Sequence, residues 1–163
     1  MIKQNISLQV FFPNLEDLKL SSIDVEMMWH AQHLKMSSYT ENLTSLTVDG
    51  CGNLKYLLSS SSIVHLKRLE VCNCKMMEQV ILREGLDEEI MLLHQLESLK
   101  LKDLPKLTRF CTTNLVECSA LKEICIQNCP QMRTFVSNSP TSNNELEIIN
   151  SALFDEKVCS SFP

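Results

Sequence analysis

Glycine is scarce, with three in 163 residues. Tight two-residue hairpins rely on residues that tolerate a positive φ, so sandwiches and barrels dense with such turns are disfavoured. Long apolar runs are missing too: nothing approaches the roughly 20 residues that a membrane-spanning helix needs. The opening "MIKQNISLQVFF" has neither the apolar core nor the small-residue cleavage site of a secretory signal. The net charge of −5 is modest and dispersed, with no basic stripe for nucleic acid and no cationic amphipathic face for an anionic membrane. No G-x-x-x-x-G-K-[ST] phosphate loop and no G-x-S-x-G nucleophile turn occurs. Apolar residues at 44% and charged residues at 21% are globular values, and the length suits one domain. The expectation is a cytoplasmic protein. In a reducing compartment its eight cysteines serve as small buried hydrophobes rather than disulfides. The sequons at Asn5 and Asn42 then carry no sugar.

What the chain does have is an internal repeat. Five stretches align: "LEDLKLSSI", "LTSLTVDGC", "LKRLEVCNC", "LESLKLKDL" and "LKEICIQNC". Each reads L-x-x-φ-x-φ-x-x-φ, with φ apolar, and they start at Leu15, Leu43, Leu66, Leu96 and Leu121. The steps between starts are 28, 23, 30 and 25 residues, the period of a leucine-rich repeat slightly stretched. Four copies continue with apolar residues every third position: Leu54 and Leu57, Met77 and Val80, Leu107 and Phe110, Met132 and Phe135. The φ-x-φ centre has the period-two alternation of a short strand with one buried face. Like strands stack in parallel only if a crossover joins them, and the remaining residues of each repeat supply it. A single repeat cannot offset the entropy of ordering its own backbone, so neighbours must stack.

The fold class expected is therefore α/β: a leucine-rich-repeat solenoid with short parallel strands on a concave face and irregular loops and short helices on the convex face. Residues 1–10 form a lead-in, 11–138 the repeat domain, and 139–163 a Ser/Asn-rich linker toward a further repeat block. "SSSSIVHL" and "TTNLVECSAL" read as Ser/Thr/Asn-capped short helices. "REGLDEEIMLLHQL" reads as a loop broken at Gly85 and followed by a helical or extended run. The segment around the only tryptophan, Trp29, is expected to bulge from the convex side, and Leu146–Ile148 is a candidate for a degenerate strand.

The blocks "FPNLEDLKL", "LTSLTVDGCGNLKYLLSSS", "LKRLEVCNCKMMEQVI", "LESLKLKDLPKLTRF" and "LKEICIQNCPQMRTF" resemble the C-terminal leucine-rich repeats of plant disease-resistance receptors of the coiled-coil, nucleotide-binding type. The likeness covers about residues 11–138. "FFPNLEDLKL" at Phe11 and "SFP" at Phe162 resemble the starts of successive blocks of about 150 residues in such proteins. The resemblance implies a non-catalytic recognition module of an immune receptor. It would sense a pathogen effector or a host protein, or restrain a nucleotide-binding switch that this chain does not contain. The alternative is a truncated or decoy repeat fragment with no dedicated ligand. An edge strand near Ile126 with no polar cap, exposing stacking surface, favours that alternative.

Few residue constellations suggest chemistry. Cys51, Cys74 and Cys129 occupy a repeat position held elsewhere by Ile23 and Leu104, an apolar slot. "CNC" at Cys72–Cys74 lacks the paired spacing and histidine partners of a zinc site, so no metal is expected. Cys72 and Cys125 stand at outward strand positions and are the candidate reactive thiols. His30 and His33 have no general base near them in sequence, and His65 and His94 read as half-buried rings beside leucine strands. Asp87, Glu88 and Glu89 read as a solvated loop. No catalytic residue and no cofactor is expected. The one organised surface left is the outward strand face: Asp17, Lys19, Ser21, Ser45, Thr47, Asp49, Arg68, Glu70, Cys72, Ser98, Lys100, Lys102, Glu123, Cys125 and Gln127. These form a ribbon of mixed charge suited to binding a protein, with no nucleic acid and no membrane span implied.

Overall fold

A computed structural model of the chain describes residues 14–27, 42–59, 65–82, 91–111, 116–117, 119–136 and 157–161. Among them every regular element is a strand. In chain order these are β1 (Asp17–Ser21), β2 (Ser45–Asp49), β3 (Tyr56–Ser59), β4 (Arg68–Cys72), β5 (Gln79–Leu82), β6 (Met91–Leu92), β7 (Ser98–Lys102), β8 (Arg109–Cys111), β9 (Val116–Glu117), β10 (Glu123–Gln127), β11 (Thr134–Val136) and β12 (Lys157–Ser161).

Each φ-x-φ centre becomes one rung of the first sheet, ordered β1-β2-β4-β7-β10-β12. The five repeat strands pair in parallel and in full register, so Leu18, Leu46, Leu69, Leu99 and Ile124 form one row and Leu20, Val48, Val71, Leu101 and Ile126 the next. Leu46, Leu69 and Leu99 are 1%, 2% and 0% exposed, so the inner face is dry. Burying a leucine of this kind contributes about 1.5–3 kcal/mol over leaving it wet, which is what fixes the face each rung turns inward. One residue before the strand in four repeats, the carbonyl oxygens of Glu16, Thr44, Lys67 and Glu97 each accept two amides of the following repeat, from the residue just before its strand and from the strand's first residue.

A tight reversal follows each strand. The backbone has a positive φ at Ser22, Gly50, Asn73, Asp103 and Asn128, the same position in all five repeats. Glycine adopts that conformation freely, and Asn, Asp and Ser tolerate it better than branched residues do. There the N–H of Ser22, Gly50, Asn73 or Asp103 donates to the last strand carbonyl of the following repeat, at 3.0–3.1 Å. A β-turn comes next, closed by Leu54, Met77, Leu107 and Met132 donating to the carbonyls of Cys51, Cys74, Leu104 and Cys129. Pro105 and Pro130 sit at the second turn position, where their fixed φ is pre-set.

The turn delivers the chain to a second parallel sheet, ordered β11-β8-β5-β3. Its rungs begin thirteen residues after each repeat start, at Tyr56, Gln79, Arg109 and Thr134. Leu57, Val80 and Phe110 are buried, as are their strand neighbours Leu58, Ile81 and Cys111, so this sheet is covered on both faces. Among the described residues one core lies between the two sheets, and it includes Leu54, Met77, Leu107 and Met132.

Two expectations change. The "TTNLVECSAL" segment, read as a capped helix, instead contains β9, which pairs in parallel with β6 as a third small sheet. A repeated ladder satisfies backbone groups from neighbouring copies, whereas a one-turn helix has too few internal bonds to persist. The run after Gly85 is extended at β6. The sheet edge near Ile126 is also not bare: β12 pairs antiparallel with β10, and Ile126 is 5% exposed. The other end differs, since Leu18 and Leu20 of β1 are only partly buried. The segment around Trp29, most of "SSSSIVHL", the acidic run at 87–89 and Leu146–Ile148 lie outside the described residues.

Candidate functional site

The outward face of the first sheet carries all fifteen residues singled out by the repeat, in three straight rows. The first is Asp17, Ser45, Arg68, Ser98 and Glu123; the second Lys19, Thr47, Glu70, Lys100 and Cys125; the third Ser21, Asp49, Cys72, Lys102 and Gln127. Within a row, neighbours are one strand spacing apart, about 4.8 Å. Perfect register is what turns residues about 25 apart in sequence into contiguous rows. Asp17, Lys19, Ser21, Arg68 and Glu123 are exposed, Cys72 is buried, and the others are half-buried among their neighbours.

Charges on this face are locally paired. Lys100 Nζ lies 2.7 Å from Glu70 Oε1 across adjacent rungs, and Lys102 Nζ lies 3.9 Å from Asp103 Oδ2. The hydrogen bond from Lys100 holds the Glu70 carboxyl below its ordinary range against an opposing desolvation effect. In return the Glu70 carboxylate raises Lys100. Ser98 Oγ donates to Glu123 Oε2 at 3.4 Å. Beside the face, Lys122 Nζ bonds Glu97 Oε2 at 2.7 Å. Together these fix a patterned, mostly neutralised surface with Lys19 and Arg68 exposed on it.

Cys72 departs from the expectation of a reactive outward thiol. It is 7% exposed, short beneath longer neighbours, and its Sγ donates to Glu70 Oε1 at 3.5 Å. Desolvation, aided by Glu70, pushes its pKa up to about 12, so the nucleophilic thiolate is suppressed. Cys125 also departs, being disulfide-bonded, which the reduced-thiol reading did not anticipate. Cys51, Cys74 and Cys111 are buried free thiols, as an apolar slot requires, while Cys129 is half-buried. Cys74 Sγ donates to the Cys72 carbonyl at 3.2 Å and Cys129 Sγ to the Gln127 carbonyl at 3.4 Å. Burial raises both of these thiols to about 11. His65 and His94 are exposed rather than half-buried, and His94 Nδ1 lies 3.3 Å from Ser119 Oγ. Among the described residues no group of three or more His, Cys, Asp or Glu side chains is placed to hold a metal.

A fourth polar row was not anticipated. The positive-φ residues edge the face, and side-chain bonds link them to the repeat before: Asn73 Nδ2 donates to Oδ1 of Asp49, the last residue of β2, at 2.7 Å, and Asn128 Nδ2 donates to Oδ1 of the preceding positive-φ residue, Asp103, at 2.6 Å. Beyond that row, in the turns that follow, Asn53 Nδ2 donates to Asp24 Oδ1. The signal was present in sequence as Ser, Gly, Asn, Asp and Asn seven residues after each start.

Parallel rungs in register, a turn at a fixed offset and a second sheet thirteen residues on define a leucine-rich-repeat solenoid. A family profile described as "Plant disease resistance protein RPS2-like, leucine-rich repeats" matches residues 14–151, and the chain belongs to that family. Two relatives in Arabidopsis thaliana are similar to it. "Probable disease resistance protein At4g27220" is 27% identical over 143 residues, covering 82% of this chain and 15% of the relative. "Disease resistance protein At4g27190" is 29% identical over 140 residues, covering 80% of this chain and 13% of the relative. The chain thus spans about one-seventh of the curated relatives it matches. No solved structure matches it. Among the described residues no helix is long and apolar enough to cross a membrane.

Proposed function

We propose that the chain is a non-catalytic, cytoplasmic recognition module of a plant immune receptor, and that the outward face of the first sheet is its binding surface. The observation that supports this reading most is the alignment of the five parallel strands, which gathers the polar residues of five repeats into one ribbon. Its occupant is a protein: a pathogen effector, a guarded host protein, or the nucleotide-binding region of the parent receptor. Binding energy alone does the work. A ligand that prefers the released receptor shifts the switch by its differential affinity for the two states. No cofactor takes part.

Co-precipitation against a parent receptor's nucleotide-binding region and against candidate effectors tests this. Arg68→Glu and Lys19→Glu on the face should abolish capture, while Lys106→Glu, exposed in a turn away from the face, should preserve it. Capture lost equally with Lys106→Glu, or unaffected by the face reversals, overturns the assignment. A decoy fragment with no dedicated ligand gives no specific capture with any variant.

A further inference from the structure

The sixth strand of the first sheet breaks the pattern of the other five. It comes from outside the repeats, it runs antiparallel, and its register sets Lys157, Cys159 and Ser161 opposite Gln127, Cys125 and Glu123. Cys125 and Cys159 are therefore directly facing positions, and Cys125 is disulfide-bonded. Facing residues of an antiparallel pair have Cα atoms about 4.5–5.5 Å apart, within the roughly 4.4–6.8 Å that a disulfide spans. We infer that Cys159 is the other half of the bond, and that β12 is a redox-dependent strap which closes the open edge of β10 when oxidised and releases it when reduced.

Three observations carry this. First, the edge that β12 occupies is where a sixth parallel rung would dock, so the strap and a further strand compete for the same backbone groups of β10. Second, the strap is only five residues long and joins β10 through one pairing, so without a covalent tie it is held by one short ladder. Third, access differs among the cysteines: Cys51, Cys72, Cys74 and Cys111 are buried, whereas Cys125 is half-buried on the open face beside Lys100. A reductant can therefore reach the Cys125 bond while the buried thiols stay out of exchange. Opening needs a dithiol reductant. Its two S–H groups give up two electrons and two protons, its sulfurs join, and Cys125 and Cys159 are left as thiols. Disulfide oxidants reverse the step.

The test uses the full chain and reads the edge rather than partner capture, so its failure leaves the recognition surface untouched. A non-reducing digest should join the peptides containing Cys125 and Cys159. Dithiothreitol should speed amide exchange at residues 157–161 on the order of 100-fold, the size expected for a cross-link closing a loop of a few dozen residues. Exchange in β2 and β4 should not change. Cys159→Ser should show the faster exchange without reductant, with the β2 and β4 amides serving as the check that the repeats remain folded. Cys125 found free or joined to a different cysteine, or unchanged exchange at 157–161 on reduction, overturns the strap.

Discussion

Gly50 and Gly52 stand two residues apart in one turn, and alanine at each is predicted to move stability in opposite directions. Gly50 has φ +68°, whereas Gly52 has an ordinary negative-φ or extended backbone. A Cβ at Gly50 meets Ser22 Oγ at 3.5 Å, an ordinary contact, so crowding is not the problem. The left-handed backbone is, at about 1–2 kcal/mol for an L side chain. Stiffening the unfolded chain returns about 0.4–1 kcal/mol, leaving Gly50→Ala destabilised by about 1 kcal/mol. At Gly52 a Cβ has nothing within 4 Å, so only the unfolded-state term remains and Gly52→Ala gains about 0.4–1 kcal/mol. Urea unfolding followed by circular dichroism resolves the difference. With a slope of about 2 kcal/mol per molar, the midpoints should separate by about 0.5–1 M. Equal midpoints, or Gly50→Ala the more stable, would show that the left-handed position shared by the five repeats is wrong.

Leu99→Ala, at the centre of the inner row, should cost about 2–5 kcal/mol in the same assay, while Lys100→Ala beside it should cost under about 1 kcal/mol. The Glu70–Lys100 pair predicts a pH dependence. Glu70 is lowered in the folded state, so its contribution is complete above the ordinary carboxylate range and is lost as pH falls through the lowered folded value. Both side chains are over a third exposed, which limits the contribution to under about 1 kcal/mol. Carbon-detected NMR titration should place Glu70 below the ordinary glutamate range, and Lys100→Met should bring it back up. Cys72, with its thiol held near 12, should resist alkylation at pH 8 until urea unfolds the chain, and labelling of the native protein at Cys72 would refute its burial.

The first sheet was legible because its signal is periodic. Leucines at Leu15, Leu43, Leu66, Leu96 and Leu121 set the register of every rung, and alternation then assigned the inward and outward rows. The second sheet was half legible. Leu57, Val80 and Phe110 marked an inward position, but consecutive buried pairs such as Leu57 and Leu58 lack alternation and do not announce a strand. β9 was misread because Ser, Thr and Asn before an apolar run cap helices and start turns alike. On the face, the rows were legible and the burial of Cys72 was not, since it depends on the lengths of Glu70 and other neighbours from different repeats. The pairing of β12 was hidden for a related reason. It lies outside the repeat, and an antiparallel return over some thirty residues leaves no period to read.

Interstrand amide and α-proton NOEs in the folded protein address the register directly. Contacts should connect Thr47 to Glu70, Glu70 to Lys100 and Lys100 to Cys125 in the pattern of parallel strands. A pattern shifted by one residue, or cross-strand contacts of antiparallel type between β2, β4 and β7, would dismantle both the inner leucine rows and the outward ribbon on which recognition depends.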